Sequence, residues 1–406
     1  MYALLGEKLS HSYSKLIHNL FGTEYELKPV PPDGLKDFVK DGSVQGFNVT
    51  IPYKQAIIPY LDGLDEVAES IGAVNTVAKV NGRLIGYNTD CLGLEYTLRR
   101  SGISLYGAKV LILGSGGTSK TAAYVARKAK ADEIIVVSRR GENNYSNLGK
   151  HSDADVILNT TPVGMYPNCE AAPLSPDVFE NLTAVADVIY NPLRSRLILA
   201  AKDMGLKTAT GLPMLVAQAR YAEEIWGMTV ADEETERVLQ KVRRDTENIV
   251  LIGMPGCGKS SVGRELARLT GKKFVDTDEE IARSEGVPVP ELVGRSLTDF
   301  RAIESRIVKK IASERGQIIA TGGGVPLMRE NSEALRSNGT VVWLRRNIGE
   351  LATNGRPLSK DRETLEKMYL ERKGIYERTA DFAVDVVGCA KTAEKITEVL
   401  DEISDN

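Results

Sequence analysis

The chain has 406 residues, 42% hydrophobic and 26% charged, with a formal net charge of −3, the composition of an ordinary globular protein of two or three domains. That balance excludes a global pull toward nucleic acid or an anionic membrane surface, and no apolar run approaches the ~20 residues that span a bilayer. In the opening MYALLGEKLSHSYS no basic region precedes an apolar core, and Cys91, Cys169, Cys257 and Cys389 form no CxxC pair, so no secretory leader, reduced thiols, no structural metal and a cytoplasmic location are expected.

In chain order, the first hundred residues supply four polar motifs: HSYS (11–14), NVTIPYK (48–54), GAVNT (72–76) and YNTD (87–90). Apolar runs follow at KVLILG (109–114), EIIVVS (133–138), DVILNT (155–160) and AVADVIY (184–190). They are continuous rather than alternating, the pattern of strands buried on both faces of a parallel sheet. TSKTAAYVARKAKA (118–131) predicts a helix between the first two, and strand–helix–strand of this kind is the dinucleotide-binding arrangement. GLPMLVAQA (211–219) comes next, and DEETERVLQKVRR (232–244) predicts a charged amphipathic helix. After a three-residue joint a second set of strands begins: NIVLIG (248–253), KKFVDTD (272–278), QIIATGGG (317–324) and TVVWLRR (340–346). SSVGRELARLT (260–270) and LTDFRAIESRIVKKIASE (297–314) predict helices between them.

Two turns of different design are expected to bind phosphate. In GSGGTSK (114–120), Gly114, Ser115, Gly116, Gly117 and Thr118 would face a pyrophosphate, although Ser119 replaces the third glycine of the usual fingerprint. A lone glycine turn is often only a tight turn; here a strand and a helix flank it. An NAD site wants Asp or Glu at the end of the next strand, whereas Ser138, Arg139 and Arg140 stand here and would attract a 2′-phosphate, which favours NADP(H). GMPGCGKS (253–260) fits G-x-x-x-x-G-K-[ST] in full, after a strand and before a helix. Gly256, Cys257, Gly258 and Ser261 would frame the phosphates of ATP. Lys259 would reach the β and γ phosphates and Ser260 would ligate Mg²⁺.

Downstream of that loop, DTD (276–278), FRAIE (300–304), TGGG (321–324), RPL (356–358) and ERKGIYE (371–377) follow in order, and together they resemble shikimate kinase over residues 247–406. The resemblance implies that Asp278 positions the attacking hydroxyl of shikimate and that Asp276 supports Mg²⁺. It implies that Arg301 and Arg372 clamp the acceptor carboxylate, with Glu304 holding Arg301. The glycines at 322–324, Gly323 among them, would let backbone approach the ring. Arg356 would stabilise charge on the transferring phosphoryl group. The sequence departs from the family at Thr353, where an arginine that stacks on adenine is common, and at Gly374, where relatives usually carry proline.

HSYS, NVTIPYK, GAVNT, YNTD and GLPMLVAQA together resemble shikimate dehydrogenase over residues 1–244. The resemblance implies Lys54 as the acid/base with Asp90 as its partner. Ser12 and Ser14 would bind the substrate carboxylate, Thr50, Asn75 and Gln218 would bond carboxylate or ring hydroxyls, and Tyr190 would lie near the carboxylate. His11 and His18 are expected to be structural. Cys91 stands where relatives often have glycine.

The expected fold is α/β throughout. A substrate domain (1–101, completed by helices of 211–244) and a Rossmann-type NADP domain (102–210) precede a P-loop, nucleoside-monophosphate-kinase-like parallel-sheet domain (247–406). The expected function is NADPH-dependent reduction of 3-dehydroshikimate to shikimate, then ATP-dependent phosphorylation of shikimate to shikimate 3-phosphate. The alternative is an NAD-dependent quinate/shikimate dehydrogenase fused to a kinase of other specificity; the paired arginines and DTD stand against it. A catalytically dead sensor would have lost Lys54, Asp90, Lys259 or Asp278, and all are present. The partners expected are small molecules only, with no nucleic acid and no membrane.

Overall fold

A computed structural model describes residues 1–9, 12–42, 44–352 and 362–405. The chain forms two compact units, Met1–Val242 and Arg243–Asn406. Among the described residues no helix is long and apolar enough to cross a membrane.

The first unit opens with six short strands: β1 (Tyr2–Gly6), β2 (Tyr25–Pro29), β3 (Gly46–Val49), β4 (Gly63–Leu64), β5 (Thr76–Val80) and β6 (Arg83–Tyr87). They form one sheet in the order β2-β1-β3-β5-β6-β4. β1 runs parallel to β2 and β3, while β5 runs antiparallel to β3 and β6. The β5–β6 hairpin closes on Asn81 and Gly82, with φ of 50° and 81°, the two-residue turn that Asn-Gly favours.

A second sheet follows: β7 (Lys109–Leu113), β8 (Glu133–Val137), β9 (Val156–Asn159), β10 (Ala184–Asp187) and β11 (Lys207–Ala209), all parallel in the order β11-β10-β9-β7-β8. Val110 and Ile112 of β7 pack with Ala122, Val125 and Ala126 on one face. Leu111 and Leu113 pack with Val185 and Leu197 on the other. Burial on both sides is why the run is continuously apolar. The chain leaves β7 for β8 on one side and returns to β9 on the other, so a crevice opens at the carboxyl ends of β7 and β9.

The helix Gly211–Ile225 returns to pack on the helix Asp90–Arg100. Their backbones approach so closely that a Cβ on Gly93 would lie 2.7 Å from the Met214 carbonyl oxygen. Trp226, at the end of the longer helix, stacks on Tyr2 with ring centroids 4.5 Å apart, and its Nε1 donates to the Val77 carbonyl at 3.0 Å. Residues beyond the second sheet therefore finish the first one. Alanine is the better helix former, yet Gly93→Ala should destabilise this unit by ~1–3 kcal/mol because the added methyl meets backbone, not a side chain that can rotate away. A urea melt that leaves the midpoint unchanged would remove the close-approach argument.

The second unit holds β12 (Asn248–Ile252), β13 (Lys273–Asp276), β14 (Gln317–Ala320), β15 (Gly339–Arg345) and β16 (Phe382–Asp385), all parallel in the order β13-β14-β12-β15-β16. β12 is central and all five of its residues are buried. The helix Leu297–Ser313 is capped by Ser296, whose side chain accepts from the Asp299 N–H at 3.2 Å. The strand expected over 272–278 ends at Asp276, because the Asp276 side chain caps the next helix, Thr277–Glu285, by accepting from the Asp278 N–H at 3.0 Å. The DTD motif thus straddles a strand end and a helix start. The strand expected over 317–324 stops at Ala320, where the glycines turn.

Two candidate active sites

Lys54 lies in the one-turn helix Tyr53–Ala56, just past β3, and its Nζ is 2.5 Å from Asp90 Oδ2. Asp90 opens the helix Asp90–Arg100, where the positive end of the helix dipole favours a carboxylate. Its other oxygen accepts from Asn75 Nδ2 at 2.9 Å. Asn75 is fixed in turn, because its Oδ1 accepts from the Thr89 N–H at 2.7 Å. Gln218 Oε1 lies 3.3 Å from the Asn75 amide, and Gln218 Nε2 donates to the Leu215 carbonyl at 2.9 Å. Lys54, Asn75, Asp90 and Gln218 are therefore brought together from four separate stretches of chain.

Behind them runs a buried polar network that sequence reasoning missed. Tyr25 Oη donates to Asn48 Oδ1 at 2.7 Å, Asn48 Nδ2 donates to Thr76 Oγ1 at 3.0 Å, and Thr76 Oγ1 lies 3.1 Å from Thr89 Oγ1. All four side chains are buried. Asn48, Thr76 and Thr89 stand inside the motifs read from the sequence, so their positions were visible but their burial was not. Such a network, fully satisfied, holds Asn75 and Asp90 in one geometry.

Ser12 Oγ lies 3.1 Å from Ser14 Oγ, and Tyr13 between them packs against Tyr190 with ring centroids 5.1 Å apart. Thr50 sits at the carboxyl end of β3, its N–H donating to the Leu5 carbonyl of β1 at 2.9 Å. The two serine hydroxyls thus lie together beside the Tyr13–Tyr190 pair, while Thr50 is held between β1 and β3. Asp187 fixes the corner before Tyr190: it accepts from Ser195 Oγ at 2.6 Å and from Asn159 Nδ2 and the Ile189 N–H, both at 3.0 Å. Burial pushes its carboxyl up to about 6. His18 is buried, its Nδ1 2.5 Å from Glu223 Oε1 and its ring stacked on Tyr25. His11 lies outside the described residues. Cys91 is buried, and burial pushes its thiol up to about 12, so it is unreactive.

The turn after β7 fits a pyrophosphate. Gly114 has φ +113° and no room for a side chain, since a Cβ would meet Thr160 Oγ1 at 2.8 Å. Gly116 caps the helix Gly117–Lys128 and faces open space, leaving the first N–H groups free to meet an anion. A Cβ on Gly117 would lie 3.9 Å from that of Lys54, so the cofactor turn borders the Lys54–Asp90 pair. Ser115 is exposed and Thr118 half-buried on the same turn. Past β8, the Ser138 N–H donates to the Asn143 carbonyl at 3.0 Å. Arg139 and Arg140 follow it, exposed and with no ion-pair partner among the described residues.

In the second unit, the phosphate loop joins β12 to the helix Lys259–Thr270. Gly256 has φ +83°, and a Cβ there would lie 2.4 Å from the Ala352 carbonyl oxygen, so only glycine fits. Lys259 is buried and its Nζ donates to the Gly253 and Met254 carbonyls, each at 2.9 Å. Ser260 Oγ donates to Asp276 Oδ2 at 2.6 Å. Cys257 turns its side chain into the core. Ser260 and Asp276 are hard oxygen donors beside Lys259. Among the described residues no group of three or more His, Cys, Asp or Glu could cage an ion. This small donor set suits Mg²⁺, which completes its octahedron with phosphate oxygens and water.

A cavity of about 770 Å³ runs from Gly256, Lys259, Ser260 and Ser261 to Asp278, Arg301, Gly323 and Arg372. The glycines at 322–324 thread among the charged groups. A Cβ on Gly322 would meet Asp278 Oδ1 at 2.8 Å, and one on Gly324 would meet Arg301 Nη2 at 2.4 Å. Arg301 Nη1 donates to Glu304 Oε2 at 2.5 Å. Burial raises the Glu304 carboxyl while Arg301 pulls it down, so the pair is mutually dependent. Arg372 Nη1 donates to the Gly323 carbonyl at 3.1 Å, and Tyr376 Oη donates to the same oxygen at 2.7 Å. Tyr376 and Arg346, which also lines the cavity, were not singled out in the sequence. Arg356 and Thr353 lie outside the described residues.

Comparison with known proteins gives a family for each of the two units. Residues 4–77 match the shikimate dehydrogenase substrate binding domain, and residues 255–404 match shikimate kinase. An NADP(+)-type shikimate dehydrogenase of Clostridium perfringens (strain ATCC 13124) is 36% identical over 258 residues, which is 58% of this chain and 95% of that protein. One of Methanococcus maripaludis is 38% identical over 255 residues, 56% of this chain and 91% of its own. Among solved structures, a chorismate mutase/shikimate 5-dehydrogenase fusion protein from Clostridium acetobutylicum is 33% identical with a TM-score of 0.57, covering 59% of this chain and 96% of that one. Shikimate 5-dehydrogenase from Thermus thermophilus, in complex with NADP(H) and shikimate, is 33% identical with a TM-score of 0.53, covering 59% and 98%. Over its N-terminal 58% the chain belongs to the shikimate dehydrogenase family, and residues 255–404 form a shikimate kinase domain.

Proposed function

We propose that the two sites act in turn on one compound. The first reduces 3-dehydroshikimate to shikimate with NADPH, and the second phosphorylates the 3-hydroxyl of shikimate with ATP. The substrate domain would take residues 1–101 with helices of 211–244, the NADP domain 102–210 and the kinase domain 247–406. The observation that carries this reading is that each unit pairs a phosphate-binding turn with a charged constellation suited to a polyhydroxy acid: Lys54–Asp90 in one, Asp278–Arg301–Arg372 in the other.

In the first site, NADPH supplies the hydride to the ring carbonyl carbon. Lys54 holds a proton at the carbonyl oxygen, where negative charge develops. Asp90, 2.5 Å from the Lys54 ammonium, aims it at that oxygen. Asn75 fixes Asp90 and, with Gln218 and Thr50, offers neutral hydrogen bonds to ring hydroxyls or carboxylate. Ser12, Ser14 and Tyr190 hold the carboxylate. Arg139 and Arg140 take the 2′-phosphate beside Ser138. Replacing both arginines with serine should lower kcat/KM for NADPH by roughly 10–100-fold through lost charge-assisted hydrogen bonds. Activity with NADH should stay nearly unchanged; an equal fall with both cofactors would refute the assignment.

In the second site, Arg301 and Arg372 clamp the carboxylate with planar forks. Asp278 orients the attacking hydroxyl, whose oxygen bonds to the γ phosphorus as the bond to ADP breaks. Lys259 exchanges its loop carbonyls for β and γ oxygens, and Arg356 meets charge on the transferring group. Mg²⁺, held by Ser260 and supported by Asp276, neutralises phosphate charge. The direct test supplies 3-dehydroshikimate, NADPH, ATP and Mg²⁺ to the full chain. Shikimate 3-phosphate should accumulate, and omission of NADPH should abolish it. If shikimate itself is not phosphorylated while another polyhydroxy acid is, the reading of the second site fails.

A further inference from the structure

We infer that Arg346 is the residue of this chain that grips the nucleobase of ATP, with Val386 as the apolar floor beneath it. The inference rests on the kinase reading of the second unit and names a part of that site.

Sheet order places the parts. Asp278 follows β13, the glycines at 322–324 follow β14, and the phosphate loop follows β12, in the order β13-β14-β12-β15-β16. The acceptor groups thus lie on one side of the phosphate loop, and β15 and β16 lie on the other. Ligands of open α/β sheets bind outside the carboxyl ends of the strands, so a nucleotide whose γ phosphate points at Asp278 directs its base toward the ends of β15 and β16. Arg346 is the first residue beyond β15 and lines the same cavity as Gly256, Lys259 and Ser260.

Strand alternation sets the face. Arg345 pairs in register with Asp385, and their side chains make a two-point ion pair, Nε to Oδ1 and Nη2 to Oδ2, each 2.9 Å. Successive residues point to opposite faces, so Arg346 and Val386 share the other face. On that face Val386 meets the phosphate loop: a Cβ on Gly258 would lie 4.0 Å from Val386 Cγ1. Arg345 is committed to Asp385. Among the described residues Arg346 has only a 3.3 Å contact to Glu350, four residues on, with 35% and 61% of the two side chains exposed. Such a pair holds its partners weakly, so the guanidinium is free to turn onto a planar base. A guanidinium stacks its plane on a π face, which an ammonium cannot do.

The test compares Arg346→Ala and Arg346→Lys in the full chain, with inorganic tripolyphosphate as a base-free competitor. Arg346→Ala should raise KM for ATP roughly tenfold, the scale of one desolvated cation–π contact, with kcat and KM for shikimate within about twofold. Arg346→Lys should recover only part of the loss, since it restores charge but not the plane. The tripolyphosphate inhibition constant should stay constant. An unchanged KM for ATP overturns the inference; so does a parallel rise in the tripolyphosphate constant, which would make Arg346 a phosphate ligand. A fall in kcat alone overturns it too. If the wild-type chain binds ATP but does not phosphorylate shikimate, the kinase reading fails instead, and the ATP titration still reads the base contact.

Discussion

Lys54→Met is expected to lower NADPH-dependent reduction of 3-dehydroshikimate by roughly 10²–10⁴-fold, the range of a lost general acid. Methionine keeps the length of the side chain and its packing, so the loss reports the proton and the charge. Phosphorylation of shikimate, measured on the same preparation, should not change, because the described residues that line the second site lie in Arg243–Asn406. The substitution also strands Asp90, whose side chain is only 9% exposed. An unpaired buried carboxylate costs several kcal/mol, so the first unit should melt earlier. Adding Asp90→Asn should restore much of that stability and none of the activity. If the double variant regains turnover, Lys54 serves the fold and not the chemistry. If Lys54→Met silences both reactions in a folded protein, the two-site assignment is wrong.

Lys259→Met should give the complementary result: shikimate phosphorylation down by roughly 10²–10³-fold, the scale of one preorganised electrostatic contact to the transition state, with NADPH oxidation intact. The ammonium is bound to the Gly253 and Met254 carbonyls in this structure. If phosphate oxygens replace those two neutral acceptors during turnover, the difference between the two sets is what the substitution would remove. Activity within tenfold of wild type would mean that Lys259 stays on the loop during turnover.

The legible parts of the fold were those with strong periodic signals. β7, β12 and β15 sit mid-sheet, are covered on both faces and so read as unbroken apolar runs. The first sheet was invisible as a sheet. Its strands are two to five residues long, and β5 is buried at Thr76, Val77 and Ala78 but exposed at Lys79 and Val80, so no period extends far enough to read. The phosphate loop of the second unit could be read with its chemistry, because backbone geometry there admits only glycine. Lys54, Asp90, Asp278, Arg301 and Arg372 came from ordered motifs that resemble known families; spacing alone does not say that residue 218 meets residue 75. Asn48, Thr76, Thr89 and Tyr376 were passed over because composition does not reveal which polar side chains are buried and what they hold. Arg346 read as the tail of a strand, and only the pairing of Arg345 with Asp385 shows which way it faces.

Trp226 caps the first sheet from a point in the chain that lies beyond the whole second sheet. During synthesis, the ribosome releases β1 through β6 long before it releases their lid. The nascent amino-terminal segment must wait, with the Val77 carbonyl and the face of Tyr2 uncovered, while the nucleotide-binding sheet is made. The first sheet can gain that cover only after residue 226 clears the exit tunnel. The carboxy-terminal unit has no such debt, since each of its strands lies within one continuous stretch from Arg243 onward. Nascent chains arrested shortly before and shortly after Trp226 emerges should therefore differ sharply in how readily a protease cuts within residues 1–101.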